Sequence, residues 1–224
     1  MAVLEGGVSA ALAGIGVESG SALHITQKPV PVGALGHYRT SHRCALVANQ
    51  GATTRLFEFR NAHATNLVVL LNLRISWVQT AAHTAAIEDS LDVWRLTSYS
   101  AVSTTNTVTP VASKLRNSYA AVDTAATFIR GVTVAGNSAG MTGHTNSKDT
   151  APLFQVPMFL LAAVPTAGPT VSTTYTYAPD VAKGEAPLVL VQNEGFLIEN
   201  RVLLGAAAGS TVYIDCEWAE VTAY

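Results

Sequence analysis

The stretch LVLVQNEGFLIENRVLLGAAAGSTVYIDCEWAEV, Leu188–Val221, decides the fold of this chain. It holds three apolar runs of strand length, separated by the reversal signal NEG at residues 193–195 and by GAAAGS at residues 205–210. Side chains alternate in the last run, so that one face presents Val212, Ile214, Cys216 and Trp218. The stretch therefore predicts a three-stranded antiparallel meander whose inner face packs into a core.

Earlier segments carry the same signature. The run RLFEFRN at residues 55–61 places Phe57 and Phe59 on one face and Glu58 and Arg60 on the other, which predicts a half-buried strand. Further strands are predicted within residues 43–49, 66–78, 90–102 and 153–164, and at the start of 131–150. The run at 66–78 fits a strand buried on both faces or a buried helix, and its β-branched residues favour the strand.

One short helix is predicted at residues 114–123, KLRNSYAAVD, because Leu115, Tyr119 and Val122 recur at helical spacing. The proline in the run at 153–164 predicts an edge strand or a bulge, because proline has no N–H to donate to a sheet.

Roughly eight or more strands joined by loops of uneven length predict an all-β chain, an antiparallel β-sandwich that is jelly-roll-like. An up-and-down barrel is the alternative. Residues 36–224 are expected to form this single domain. Residues 1–35 are rich in Gly and Ala and carry Glu5 where a signal peptide would be basic, so they predict an extended, uncleaved N-terminal arm.

Charged side chains are scarce. They make up 12% of the chain, against roughly 25% in ordinary soluble domains. The 13 basic residues are scattered, whereas nucleic-acid binders cluster theirs, so no nucleic-acid partner is expected. The apolar runs are shorter than the roughly 20 residues of a membrane-spanning helix, so no membrane partner is expected. The low charge predicts a surface of small neutral side chains, or one partly buried against other chains.

Reactive side chains form no recognisable catalytic or metal-binding pattern. None of the six histidines is spaced as in a zinc protease: His24, His37, His42, His63, His83 and His144. Ser138 lies in GNSAG with no helix-forming run after it. Cys44 and Cys216 lie in apolar strand patterns, where thiols are inert, although a disulfide between them stays open. The sequence therefore predicts no catalytic residue, no cofactor site and no metal site, and we expect that the protein is not an enzyme.

Two groups of side chains keep other functions open. Asp215 and Glu217 project from one strand face and could flank a sugar in a glycosidase, although a solvated or interface-facing strand is the simpler interpretation. Tyr175 and Tyr177, within a loop predicted to protrude, and the glycine-rich segment 136–150 could recognise host sugars in a lectin-like module.

Several segments resemble a recurrent type of tailed-bacteriophage structural protein. They are GALGHYR at 33–39, FEFRN followed by NLVVLLNLRI, KLRNS at 114–118, and APLVLVQNEGFLIENRV with VYIDCEWAEV at the end of the chain. The resemblance covers most of the chain from about residue 24 onward, and its closing pattern is the most specific part. It implies a virion component with a jelly-roll-like β domain, most similar to a head decoration or cement protein, and it brings no catalytic residues.

The resemblance implies a structural subunit at the surface of the phage head that binds the lattice of the major capsid protein and stabilises the head. Self-association is also expected, with a homotrimer preferred and a dimer possible. The N-terminal arm is expected to become ordered on contact with neighbouring subunits. A tail, baseplate or fibre-associated subunit is the alternative within the virion, and a host-glycan-binding module is the alternative outside this class.

Overall fold

The computed structural model describes the chain in six stretches: residues 3–4, 15–16, 35–163, 172–180, 183–206 and 209–222. It divides into two compact units, residues 1–31 and residues 32–224. In the first unit, strand β1 (Val3–Leu4) pairs antiparallel with strand β2 (Ile15–Gly16). Most of the predicted arm lies outside the described residues, so its extended form stays a prediction.

The second unit is an antiparallel β-sandwich, as the sequence predicts. Sheet I contains six strands: β3 (Gly36–Leu46), β5 (Leu67–Gln79), β8 (Ala112–Lys114), β12 (Ser172–Tyr177), β13 (Val189–Leu190) and β15 (Ser210–Val221). Sheet II contains seven strands: β4 (Arg55–Asn61), β6 (Ile87–Ala101), β7 (Thr107–Val108), β9 (Thr127–Val132), β10 (Thr145–Lys148), β11 (Phe154–Leu160) and β14 (Glu194–Asn200).

The strands pair as a nested set, the first with the last. Strand β3 pairs with β15, β4 with β14, β5 with both β12 and β13, and β6 with both β10 and β11. The strand order is therefore β12–β5–β15–β3–β8 in sheet I and β10–β6–β14–β4–β9–β7 in sheet II. Consecutive strands from β3 to β6 alternate between the sheets, which is incompatible with the up-and-down barrel alternative.

The predicted closing meander is wrong. The three apolar runs do form β13, β14 and β15, but none of these strands pairs with another of the three. Strands β13 and β15 both pair with β5 in sheet I, while β14 lies between β4 and β6 in sheet II. The NEG reversal is present, with Asn193 at φ 63°, yet it carries the chain across the sandwich. Since β13 is only two residues long, it offers β14 little to pair with, whereas β4 and β6 each match most of its length.

Apolar side chains that alternate inward from both sheets form the core. The predicted inner face of β15 is confirmed, because all four of its members are fully buried: Val212, Ile214, Cys216 and Trp218. Trp218 packs edge-on against Phe59 of the opposite sheet, with ring centroids 5.2 Å apart. Phe59 in turn stacks on Phe196, at 5.5 Å. Aromatic contacts of this kind contribute both buried area and a preferred geometry, so they hold the two sheets in one relative position.

The outer side of sheet II is covered as well. The prediction that β4 is half-buried is therefore wrong, since Glu58 on its outer face is fully buried. A small apolar cluster of Leu96, Tyr99 and Leu197 lies on the same side. The reason is that this face of sheet II is packed against other parts of the chain, among them the residues around Ser103, instead of facing water.

The predicted helix at 114–123 is wrong. Lys114 is the last residue of strand β8, and the residues after it form turns. In one of these turns the Tyr119 N–H donates to the Arg116 carbonyl at 3.1 Å. The Lys114 ammonium donates to the carbonyls of Asn117 and Tyr119, at 3.0 and 3.1 Å. A helix this short needs an apolar face packed against the protein to be stable, and Leu115 in this segment is 39% exposed instead.

The prediction that Pro157 marks an edge strand or a bulge is confirmed as an edge strand. Pro157 lies in β11, which has β6 as its one strand partner, so the missing proline N–H faces the open edge. Strands β10 and β11 follow one another along β6, just as β12 and β13 follow one another along β5. Each sheet therefore ends on this side in two short strands.

Candidate functional site

The carboxylates Asp215 and Glu217 lie on the outer face of sheet I, as the alternation of β15 predicts. Asp215 is placed between Ser41 and Arg74 and accepts a hydrogen bond from the Ser41 hydroxyl at 2.6 Å. Glu217 is placed opposite Arg39. Each acid therefore has a basic residue directly across the sheet, the arrangement of opposite charges that stabilises strand pairs.

The recess beside these two acids is small. Its volume is about 140 Å³, whereas ligand pockets usually span about 300–1,000 Å³. The geometry favours the interpretation of Asp215 and Glu217 as a polar strand surface and gives the glycosidase alternative no support.

The histidines are dispersed over the fold. Burial lowers the pKa of four of them below the usual value, His37, His42, His83 and His144. His63 Nε2 lies 2.9 Å from Thr127 Oγ1, and that hydroxyl donates to Glu220 at 2.9 Å, so the three side chains link the two sheets. His24 lies outside the described residues. Across the described ranges, no three His, Cys, Asp or Glu side chains are grouped so that they could hold a metal ion.

The two cysteines are free thiols in the core. Cys44 is paired across the strands with Val212, and Cys216 with Thr40, so the thiols are not cross-strand neighbours. Burial raises the pKa of Cys44 to about 12. Burial also raises the pKa of Cys216, and the charge of Glu217 adds to the effect. Both thiols are therefore held in the unreactive protonated form, and the disulfide left open by the sequence is not formed.

Ser138 is an exposed residue of a tight loop. Its carbonyl accepts a hydrogen bond from the Gly51 N–H at 3.0 Å, which joins this loop to the turn before β4. Gly136 has φ 76°, and a Cβ there would lie 2.2 Å from the Ala45 carbonyl oxygen, so the loop requires glycine at that point. Ser138 thus has the structural role that the sequence assigns to it.

Tyr175 and Tyr177 share one face of β12, as predicted. Both stack on Phe154 of β11, with ring centroids 4.7 and 5.7 Å apart, so their rings join the edge of sheet I to that of sheet II. The Tyr177 hydroxyl also accepts the Leu188 N–H at 2.9 Å. The two rings close the sandwich edge and offer no free platform for a sugar. The other residues of the loop expected to protrude lie partly outside the described ranges.

A buried polar cluster on the outer side of sheet II was not predicted from the sequence. Glu58, with no exposed surface, accepts the Ser103 N–H at 2.6 Å and the Ser103 hydroxyl at 3.0 Å. Arg55 Nη1 lies 3.7 Å from the Glu58 carboxylate, and Arg55 Nη2 donates to Asn146 at 2.9 Å. Burial, reinforced by the charge of Glu58, raises the pKa of Tyr99. The partners of Glu58 come from segments far along the chain, so strand alternation could not reveal them.

A second buried carboxylate, Asp89, holds the connection after β14. Its Oδ1 accepts the N–H groups of Ser90, Arg201 and Val202, at 2.7, 3.2 and 2.9 Å. Burial raises its pKa, and the three backbone donors act in the opposite direction. Asp89 therefore fixes the start of β6 to the segment that leads into β15.

A cleft of about 430 Å³ lies beside the Glu58 cluster and is named the loop cleft. The turn 51–54 and the loop 138–144 line it, together with Arg55, Lys148 and Glu199. The Lys148 ammonium donates to Glu199 at 2.7 Å. The glycine-rich segment that the sequence singled out thus lines a real cavity, although its charged partners come from β4 and β14.

A cavity of about 460 Å³ lies near the opposite edges of the sheets and is named the edge groove. Its lining comes from residues 109–112, which lead into β8, and from residues 121–130, which lead into β9. Apolar side chains contribute much of the lining, and Arg130 is the single charged residue among them. Val111, which lines the edge groove, is 81% exposed.

Comparisons of the chain with protein-family models, with curated proteins and with solved structures find no match. No helix within the described ranges is long and apolar enough to cross a membrane. Function is therefore inferred from the fold, the charge balance and the two cavities.

Proposed function

We propose that the protein is a structural subunit of a tailed-phage virion, a decoration or cement protein that stabilises the head by binding the lattice of the major capsid protein. The observation that carries the proposal is the edge groove with Val111 at its rim. Val111 is 81% exposed beside a cavity whose lining is largely apolar, and together they offer an apolar surface on which another protein can pack.

The strands next to the groove are suited to such a contact. Strand β8 has three residues and ends sheet I, and β7 has two residues and ends sheet II. Edges this short resist uncontrolled sheet-to-sheet aggregation, yet they leave backbone groups that can pair with an extended segment of a partner.

The low charge of the chain supports the same role. A net charge of −2 on 224 residues gives little repulsion between copies packed side by side. In a lattice, each copy can make weak contacts that add up through multivalency, so no single interface has to be large.

The nested strand pairing supports the finer part of the proposal, that the sandwich is jelly-roll-like. Pairing of the first strand with the last, and of each inner strand with its counterpart, is the pattern expected when one long hairpin is wound around a core into two sheets.

Co-sedimentation with capsids assembled from the major capsid protein of the same phage tests the proposal. The variant Val111→Asp places a charge at the rim of the groove, and we expect it to weaken capsid binding at least tenfold. Val191→Asp is the matched control, since Val191 is also exposed, at 47%, and does not line the groove. Equal capsid binding by wild type and Val111→Asp would contradict the role of the groove.

Light scattering behind a sizing column tests self-association. A trimer or a dimer at micromolar concentration supports a symmetric subunit, with the trimer expected. A monomer would contradict self-association in solution while leaving the capsid-binding experiment as the test of the head contact.

A further inference from the structure

We propose that the loop cleft is a saccharide-binding site that takes one hydroxyl-rich sugar unit. The proposal is independent of the head contact, because the cleft and the edge groove share no residue. Its volume of about 430 Å³ lies within the range of about 300–1,000 Å³ typical of small-molecule sites.

Hydrogen-bond donors without a partner in the protein lie at the cleft and next to it. Arg55 is 9% exposed and lines the cleft, and its Nη1 makes no hydrogen bond within the protein. Asn146, which accepts from Arg55 Nη2 but does not itself line the cleft, also has an Nδ2 without a partner. Lys148 uses one ammonium proton on Glu199, which leaves two further donors. The Lys148 donors are the ones within reach of a ligand, since this side chain lines the cleft and is 31% exposed, so a ligand that accepts hydrogen bonds there is favoured.

The charges of the site are balanced, which selects a neutral ligand. Arg55 is paired with Glu58 at 3.7 Å, and Lys148 is paired with Glu199 at 2.7 Å. Both Glu58 oxygens accept hydrogen bonds from Ser103. Glu199 accepts from Lys148 with one carboxylate oxygen, and its other oxygen can accept from a ligand. A free anion or cation would be repelled by one member of each pair. A sugar hydroxyl both donates and accepts, so it matches an ammonium or guanidinium next to a carboxylate.

The walls leave room for a ring. Small residues form much of them, including Gly51, Ala52 and Ala139. Thr53 at the rim has φ 58°, a left-handed conformation that costs a β-branched residue roughly 1–3 kcal/mol. Its N–H donates to the Asn200 carbonyl at 2.8 Å, which holds the strained turn in place. Strain of this kind, stored at the mouth of a polar cavity, is found where a backbone is shaped for a ligand.

Titration of the full-length protein with monosaccharides, followed by NMR, tests the proposal. The probes are glucose, galactose, mannose and N-acetylglucosamine as neutral sugars, with glucuronate and inorganic phosphate as anions. We expect at least one neutral sugar to bind, with shifts confined to residues 51–55 and 138–148. Absence of binding by every neutral sugar, or binding by the anions alone, would overturn the proposal.

Two variants locate the bound sugar. Lys148→Met keeps a flexible apolar side chain and removes the ammonium, which lies 4.6 Å from the centroid of the Trp94 ring and carries the donors. The double variant Lys148→Met with Glu199→Gln also avoids an unpaired buried carboxylate, so it guards against loss of the fold. We expect sugar affinity to fall at least tenfold in both. Lys183→Met, at a lysine paired with Asp180 elsewhere, is the matched control. Unchanged affinity in the double variant would overturn the assignment of the cleft.

Discussion

At the scale of single residues, Glu58 is a buried charge on which stability depends. It lies on a strand whose alternation suggests contact with water, yet it has no exposed surface and accepts two hydrogen bonds from Ser103. Its Oε2 also lies 3.7 Å from Arg55 Nη1. One carboxylate therefore neutralises a buried guanidinium and anchors the segment that follows β6.

Replacement of Glu58 by alanine should leave Arg55 as an uncompensated buried charge. Loss of one partner of a buried ion pair costs about 3–5 kcal/mol, and we expect a decrease of that size in the free energy of unfolding. Urea denaturation measures it. Glu88→Ala is the matched control, since Glu88 is exposed on β6 of the same sheet, and its effect should stay within about 0.5 kcal/mol. Equal losses in the two variants would contradict the buried role of Glu58.

Gly195 illustrates a second residue-scale constraint. A Cβ at this position would lie 2.1 Å from the Phe59 carbonyl oxygen and 3.0 Å from the Tyr99 ring. Because the first of these is backbone, Gly195→Ala must displace β14 from β4, and we expect a loss of about 1–3 kcal/mol, as for other overpacked sites. At Gly51 the nearest atom is 3.4 Å away, so Gly51→Ala should cost far less. Chemical denaturation of both variants checks the difference, and a larger loss in Gly51→Ala would refute it.

At the scale of elements, the aromatic stack of Phe154 with Tyr175 and Tyr177 closes one side of the sandwich. Strand β11 belongs to sheet II and β12 to sheet I, and these rings lie between the two strands. Each strand has one strand partner, so side-chain packing supplies what a second hydrogen-bonded neighbour would supply in a central strand.

Removal of the Phe154 ring should loosen β12 locally. We expect Phe154→Ala to increase amide hydrogen exchange in Ser172–Tyr177 while β15 at the centre of sheet I keeps its protection, because edge elements open at lower free energy than central ones. Hydrogen-exchange mass spectrometry measures the effect. Phe159→Ala, on the same strand but 53% exposed, is the control and should leave the exchange of β12 unchanged. Unaltered exchange of β12 in Phe154→Ala would show that the stack does not hold the edge.

At the scale of the whole molecule, four buried or partly buried histidines make stability depend on pH. Burial lowers the pKa of His37, His42, His83 and His144 in the folded state. The unfolded chain then binds protons more readily than the folded one, so their contribution is present above the unfolded pKa of about 6.5 and is lost as pH falls through the lowered folded values. Asp89 acts in the opposite direction, because its pKa is raised by burial.

We therefore expect the urea concentration at the unfolding midpoint to decrease as the pH is lowered from 7 to 5, because the stability lost at four histidines exceeds that gained at one aspartate. His42→Phe should reduce the slope, because a phenyl ring can occupy the place of the imidazole beside Phe57 without taking up a proton. A midpoint that is constant or rises as the pH is lowered would contradict the assignment of these histidines as groups held neutral in the folded state.

The strands themselves were largely determined by the sequence. Alternation in RLFEFRN and in the final run placed β4 and β15 and identified the core face of Trp218, because the alternation of side chains between two faces is a local property of a strand. Pro157 predicted an edge strand or a bulge, since the missing N–H is a local property as well, and the structure forms the edge. The inert cysteines and the loop position of Ser138 followed from the same kind of reasoning.

Tertiary structure alone decided which strands pair and which polar groups meet. The sequence predicted β13, β14 and β15 as one meander, but β14 pairs in the other sheet because β4 and β6 match its length, and no local pattern encodes that choice. The short helix was predicted from the spacing of Leu115, Tyr119 and Val122, but Leu115 is 39% exposed, so no packed apolar face stabilises a helix there. Glu58 meets Ser103, and Lys148 meets Glu199, across 45 and 51 residues of chain. Alternation fixes the face on which a side chain lies, whereas its partner depends on how distant segments fold together, so the loop cleft emerges from the assembled sandwich.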